Sequence, residues 1–205
     1  MLGLDFDNTI VCYDESFARI ACERGLLDSA VPPTKHAVRE DLRRKGYQEK
    51  WIELQGVVYG HRINEARPFP GVLETCARIR EQGMDISIIS HKTQFPHRGP
   101  RVALREVARS WLRNQGFFDP GRGGLDPKRV FFEPTKERKL QRIAEQGCRW
   151  FVDDLPEFLG EPGFPRGVQR ILFDPHGRNA GDARFLRIGR WDDLESCLGT
   201  LRAAG

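Results

Sequence analysis

Leu4-Asp5-Phe6-Asp7-Asn8-Thr9 is the stretch whose reading organises the rest of the chain. A short apolar segment, Met1 to Leu4, runs straight into two carboxylates spaced i, i+2 and then a threonine. Alternate side chains of a strand share a face, so Asp5 and Asp7 would point the same way if the strand continued. If the strand ends there, the two acids open into a loop above the sheet edge. In both cases they are poorly placed for an apolar core and well placed to hold a cation. Taken alone, the pattern also fits a plain acidic turn between a strand and a loop.

Four later stretches share one form: Asp85 to Ser90, Arg129 to Thr135, Arg149 to Asp154 and Val168 to Asp174. Each is a short apolar, β-branched or aromatic run that ends in a hydroxyl or an acid. Such runs predict buried parallel strands, with helices in the stretches between them. The fold class is therefore α/β. In an open sheet of this kind, ligands bind outside the carboxyl ends of the strands, near the point where strand order reverses. Asp5, Asp7, Ser90, Asp153 and Asp154 would then converge on one rim.

Composition sets the outer limits. A chain of 205 residues suits one domain with an insertion. No apolar run approaches the ~20 residues needed to span a bilayer. Met1 leads at once into strand and acids, without the basic and apolar regions of a signal peptide. The five cysteines are scattered and form no C-x-x-C pair, as expected of reduced thiols with no zinc site. These features predict a soluble cytoplasmic protein with no membrane partner. A net charge of +4 suits an anionic substrate but falls short of a nucleic-acid footprint.

The segment from Asp14 to Arg67 reads as three helices and no strand. The first runs from Asp14 to a stop at Gly25, the second from Lys35 to Lys45 behind Thr34 as cap, the third from Tyr47 to Tyr59. Its ten Lys/Arg and nine Asp/Glu interleave, which describes solvated helix faces better than a nucleic-acid patch. Beyond Arg67-Pro-Phe-Pro-Gly71 the sheet pattern resumes. Thr135 caps a helix from Lys136 to Gln146, which puts Lys136 at a helix N-terminus on the rim. A lysine there opposes the helix dipole, a conflict that an anion between them would relieve. Gly121-Arg-Gly-Gly124 lacks the Lys-Ser/Thr ending of a phosphate-binding loop and reads as a turn.

D-F-D-N-T at 5–9, a strand ending in Ser90, a helix opening with Lys136 and V-D-D at 152–154 stand in a fixed order. That order resembles the four motifs of the haloacid dehalogenase-like (HAD) superfamily, and the likeness covers nearly the whole chain. The resemblance implies a Rossmann-like parallel sheet as the core, residues 1–13 and 68–205, with a small helical cap inserted at 14–67. It implies Asp5 as the nucleophile that forms an aspartyl-phosphate, and Asp7 as general acid and then base. Ser90 and Lys136 would hold the phosphoryl oxygens. Mg²⁺ would be bound by Asp5, the Asp7 backbone carbonyl and Asp153, with Thr9 and Asp154 supporting that shell. Lys92, two residues after Ser90, is the rival for the place of Lys136.

Within the resemblance, the second acid points to phosphatases and phosphomutases, since relatives that dehalogenate do not keep it. The expected activity is a Mg²⁺-dependent phosphomonoesterase acting on a small phosphorylated metabolite, of sugar phosphate or nucleotide type. A phosphomutase would use the same residues, with a substrate hydroxyl in place of water. A phosphatase processing nucleic-acid ends is disfavoured, because a helical cap would close over the site. A silent scaffold is disfavoured by the intact acids.

Overall fold

The computed structural model describes residues 1–28, 30–179 and 181–203. Strand β1 (Leu2–Leu4) is followed by a two-residue strand β2 (Val11–Cys12) and helices α1 (Asp14–Glu23), α2 (Lys35–Arg44) and α3 (Gln48–Tyr59). A second two-residue strand, β3 (Arg67–Pro68), pairs with β2. Then come α4 (Val72–Glu81), β4 (Ile86–His91), α5 (Leu104–Asn114), β5 (Val130–Glu133) and α6 (Lys136–Glu145). The chain ends with β6 (Trp150–Asp153), α7 (Pro156–Leu159), β7 (Gln169–Phe173), β8 (Leu186–Ile188) and α8 (Asp193–Ala203). Among the described residues, no helix is long and apolar enough to cross a membrane.

Six strands form one parallel sheet in the order β5-β4-β1-β6-β7-β8. Five of them are the apolar runs of the sequence. The sixth, β8, was not among them: it is three residues long with only Ile188 buried, so only its ladder to β7 reveals it. From β1 the chain moves to one side through β4 and β5, then crosses back to lay β6 against the other side of β1. Strand order therefore reverses between β1 and β6, which makes their carboxyl ends the expected ligand crevice.

Register decides which residues reach that crevice from which face. Gly3 lies opposite Ser87 and Phe151, and Leu4 opposite Ile88 and Val152. By alternation, Gly3, Phe151, Asp153 and Ile89 lie on one face. There Ile89, Phe151 and Leu172 pack with Ile143 of α6 and with Phe158 and Leu159 of α7. Each such side chain taken fully out of water contributes roughly 1.5–3 kcal/mol. Gly3 is required at its position because a Cβ would stand 2.5 Å from the Phe151 ring. Leu2, Leu4, Ile86, Ile88 and Ser90 belong to the opposite face.

The chain divides into two compact units. One comprises Met1–Ile10, Pro68–Lys92 and the chain from Leu112 onward, and holds all six strands of the large sheet. The other comprises Val11–Arg67 and Thr93–Trp111. In this second unit α1 opens with Asp14 and Glu15, which favour a helix N-terminus, and Thr34 Oγ1 caps α2 by accepting from the Ala37 amide at 3.1 Å. Phe17 stacks on Trp51 at 4.9 Å between ring centres, with Tyr59 edge-on at 5.5 Å. Residues 93–111 are part of this packing: the Trp111 indole donates to the Ala66 carbonyl at 2.9 Å.

Candidate active site

β1 ends at Leu4, and the amide of Asp5 still bonds to the Val152 carbonyl at 2.9 Å. That bond delivers Asp5 beside the end of β6. The chain then turns: Asn8 adopts the left-handed conformation at φ 59°, which asparagine tolerates, and the Ile10 amide bonds back to Phe6. Phe6 pins the turn by burying its ring edge-on against Phe132 at 5.4 Å. Thr9 is fully buried, and its carbonyl accepts the Trp191 indole N–H at 3.2 Å.

The buried ammonium of Lys139 stands between Asp5 and Asp153. Its Nζ lies 2.6 Å from Asp5 Oδ1 and 2.6 Å from Asp153 Oδ2, and 3.9 Å from the centre of the Phe158 ring. The other oxygen of Asp153 accepts the Leu155 amide at 2.9 Å, which locks the carboxylate in place. Asp154 completes the group: Asp5, Asp153 and Asp154 each offer a carboxylate oxygen within 4.8 Å of the others. Taking these charges out of water costs several kcal/mol per ion, so such a cluster is a poor device for stability and a marker of function.

Burial pushes the Asp5 carboxyl up to about 7; Lys139 pulls it down, and the like charge of Asp153 adds to the rise. For Lys139, burial by itself would depress the ammonium, but Asp153 and Asp5 outweigh it and hold the group charged. Lys139 is therefore an ammonium. Two carboxylates bond this one cation and a third stands beside them, leaving a net negative cluster that a divalent cation would balance.

A second lysine serves the second acid. Lys92, immediately after β4, is buried and donates to both oxygens of Asp7, at 3.0 and 2.8 Å. Ser90, also buried, lies two residues before it on the same face. Asp5, Asp7, Ser90, Lys92, Lys139, Asp153 and Asp154 all belong to the sheet-bearing unit and sit at the carboxyl ends of β1, β4 and β6 or on α6.

No protein-family model and no curated protein sequence matches the chain. Solved structures do. A HAD family hydrolase from Deinococcus radiodurans R1, with bound phosphate and sodium, shares 16% identity at a TM-score of 0.59 over 97% of this chain and 94% of that one. A predicted phosphoglycolate phosphatase from Haemophilus somnus 129PT shares 11% identity at a TM-score of 0.55, covering 97% of both chains. A dehalogenase shares 13% identity at a TM-score of 0.55, over 96% of this chain and 95% of that one. The chain has the haloacid dehalogenase-like fold. At such identities the likeness carries the fold alone, and the chemistry must come from the residues.

Within the HAD-like fold one expectation needs correction. Lys136 does not reach the acids: it is half exposed and pairs with Glu161 at 3.5 Å. Lys139, three residues on, is the lysine of this helix that meets Asp5 and Asp153. The reason is the helix period. The residues of α6 that are buried are Lys139 and Ile143, spaced i, i+4, while Lys136 in the first turn is exposed. A lysine in register with the apolar stripe is an anomaly that the sequence does display. Thr135 behaves as expected, its Oγ1 accepting from the Arg138 amide at 3.2 Å. Lys92 is at the site, but on Asp7 rather than between Asp5 and Asp153.

The acidic cluster suits a hard divalent cation. Carboxylate oxygens are its preferred donors, and Asp5, Asp153 and Asp154 present one each within 4.8 Å of the others. Asp154, expected in a supporting role, offers its own oxygen to the cluster.

Proposed function

We propose that this protein is a Mg²⁺-dependent phosphomonoesterase acting on a small phosphorylated metabolite through an aspartyl-phosphate on Asp5. The observation that carries this reading is the buried Lys139, bonded at once to Asp5 and Asp153 beside Asp154. Lys139 fixes Oδ1 of Asp5, so Oδ2 is the oxygen presented to phosphorus. Asp5 attacks the phosphoryl group, the ester P–O bond breaks, and Asp7 gives its proton to the departing alkoxide. Water then attacks the phosphoryl-Asp5 anhydride, its proton passes to Asp7, and inorganic phosphate leaves with Asp5 restored. Ser90 donates to a phosphoryl oxygen. Mg²⁺, held by Asp5, Asp153 and Asp154 together with the Asp7 carbonyl, would supply the positive charge that phosphoryl transfer demands.

Dehalogenation on the same fold is disfavoured because a second carboxylate, Asp7, stands beside the nucleophile and would serve no purpose there. The helical stretch 14–67 is read as a cap that selects the substrate. A panel of phosphorylated metabolites with Mg²⁺, read by phosphate release, tests the proposal. Release from one sugar or nucleotide phosphate well above the rest is expected. Transfer to a second hydroxyl without free phosphate would make the protein a mutase. Halide release from 2-haloacids without phosphatase activity would overturn the proposal.

A further inference from the structure

The site contains two buried lysines, and they reach it from opposite faces of the sheet. Lys139 comes from α6, on the face of Gly3 and Phe151. Lys92 comes from β4, in step with Ile88 and Ser90 on the other face. The Lys92 amide extends the ladder to β5 by bonding the Glu133 carbonyl at 2.8 Å, so its backbone is as fixed as the strand before it. Its ammonium lies 5.3 Å from the centre of the Phe6 ring, the residue between the two acids, and its side chain is only 3% exposed. Asp7, a single β-bridge residue one position before the left-handed Asn8, has a side chain that is 21% exposed.

We propose that Lys92 is a positioning residue for Asp7, chelating both carboxylate oxygens so that the acid is aimed at the oxygen leaving phosphorus. The inference rests on the phosphomonoesterase reading and gives its two lysines separate tasks. Lys139 holds the nucleophile, and Lys92 orients the proton donor. Proton transfer requires the donor within hydrogen-bond reach of the departing oxygen, and a rotating carboxylate spends little time there. As the ester P–O bond breaks, the proton moves from one Asp7 oxygen to the alkoxide, and the Lys92 N–H bonds stay on the carboxylate that remains. A lysine acting only on the bound phosphoryl group would influence all esters alike; one acting through Asp7 matters most where the leaving group most needs a proton.

The test compares phenyl phosphate with para-nitrophenyl phosphate, which differ by one nitro group and hence in how much the departing oxygen needs protonation. Lys92→Met is expected to lower kcat/KM on phenyl phosphate about tenfold more than on para-nitrophenyl phosphate, a modest part of what general acid catalysis contributes. Lys92→Gln, which keeps an N–H donor, should fall between Lys92→Met and the natural protein, and provides the comparison if Lys92→Met does not fold. Asp7→Asn is measured alongside and should show the same discrimination in stronger form. If Asp7→Asn discriminates between the esters and both Lys92 variants slow them equally, the positioning role is wrong while the reading of Asp7 stands. If Asp7→Asn itself shows no discrimination, Asp7 is not the acid, and both ideas fall.

Discussion

Lys139 Nζ lies 2.6 Å from Asp5 Oδ1 across 134 residues of chain, and both groups are buried. The contact joins the helix between β5 and β6 to the end of the central strand. Removing one partner of a buried pair strands the other, at a cost of roughly 3–5 kcal/mol. Lys139→Met should therefore lower the thermal midpoint and reduce kcat on para-nitrophenyl phosphate by about a hundredfold or more. Lys136→Ala, on the exposed first turn, should stay within about twofold of the natural protein. Steady-state kinetics on the two variants decide which lysine belongs to the site.

Asp5→Asn should abolish turnover and leave the fold intact, because an amide is a poor nucleophile and a weak ligand for a hard cation. Retention of most of kcat with normal metal dependence would rule out the covalent route. A circular dichroism spectrum matching the natural protein excludes unfolding as the cause.

Stability should depend on pH through the same residue. The folded-state pKa of Asp5 is raised by burial from 3.8 to about 7, so between those values the folded protein without metal binds more protons there than the unfolded chain does. Its stabilising contribution is complete below about pH 4 and is lost as pH rises through about 7. Asp5→Asn cannot titrate and should lack this fall. With Mg²⁺ on the ionised cluster, as proposed above, the metal should raise the thermal midpoint of the natural protein clearly at pH 8 and little at pH 5. Melting curves of both proteins with and without Mg²⁺ check the sign; identical pH slopes would show that Asp5 is not the group responsible.

Chelation should remove activity and Mg²⁺ should restore it, while Ca²⁺ restores little. Ca²⁺ takes more ligands at longer distances, which would misalign the in-line displacement proposed for this site. Phosphate release measured in chelator and after each addition is sufficient. Full activity in chelator would mean that the acids serve another purpose.

Gly3→Ala tests the packing beneath the site. The new methyl would meet the Phe151 ring at 2.5 Å, forcing that ring against Phe158 and Phe164. Overpacking of this kind costs about 1–3 kcal/mol. A urea midpoint lowered accordingly, with kcat falling as the end of β1 shifts, is the expected result.

The α/β class, the five apolar strands and the acidic ends of β1 and β6 can be read from the sequence. These follow from local chemistry: apolar runs of strand length, carboxylates at their ends, Thr34 and Thr135 as caps. It also displayed Asp5, Asp7, Ser90, Asp153 and Asp154 by their positions at strand ends. The sequence displays Lys139 in the apolar stripe of α6, but that this lysine and not Lys136 meets Asp5 is set by tertiary packing. Lys136 and Lys139 share one helix, and which of them meets Asp5 depends on how α6 rotates as it lays Ile143 on the sheet. The attachment of Lys92 to Asp7 was likewise invisible, because it needs a strand register that brings residues 85 positions apart to hydrogen-bond distance. The edge strand β8 was hidden for the same reason, since a strand with one buried residue exists only through its neighbour. Strand ends can be read from local pattern; pairings across the sheet arise only when the chain has folded, since burial of distant apolar surfaces sets the rotation of each helix and the register of each strand.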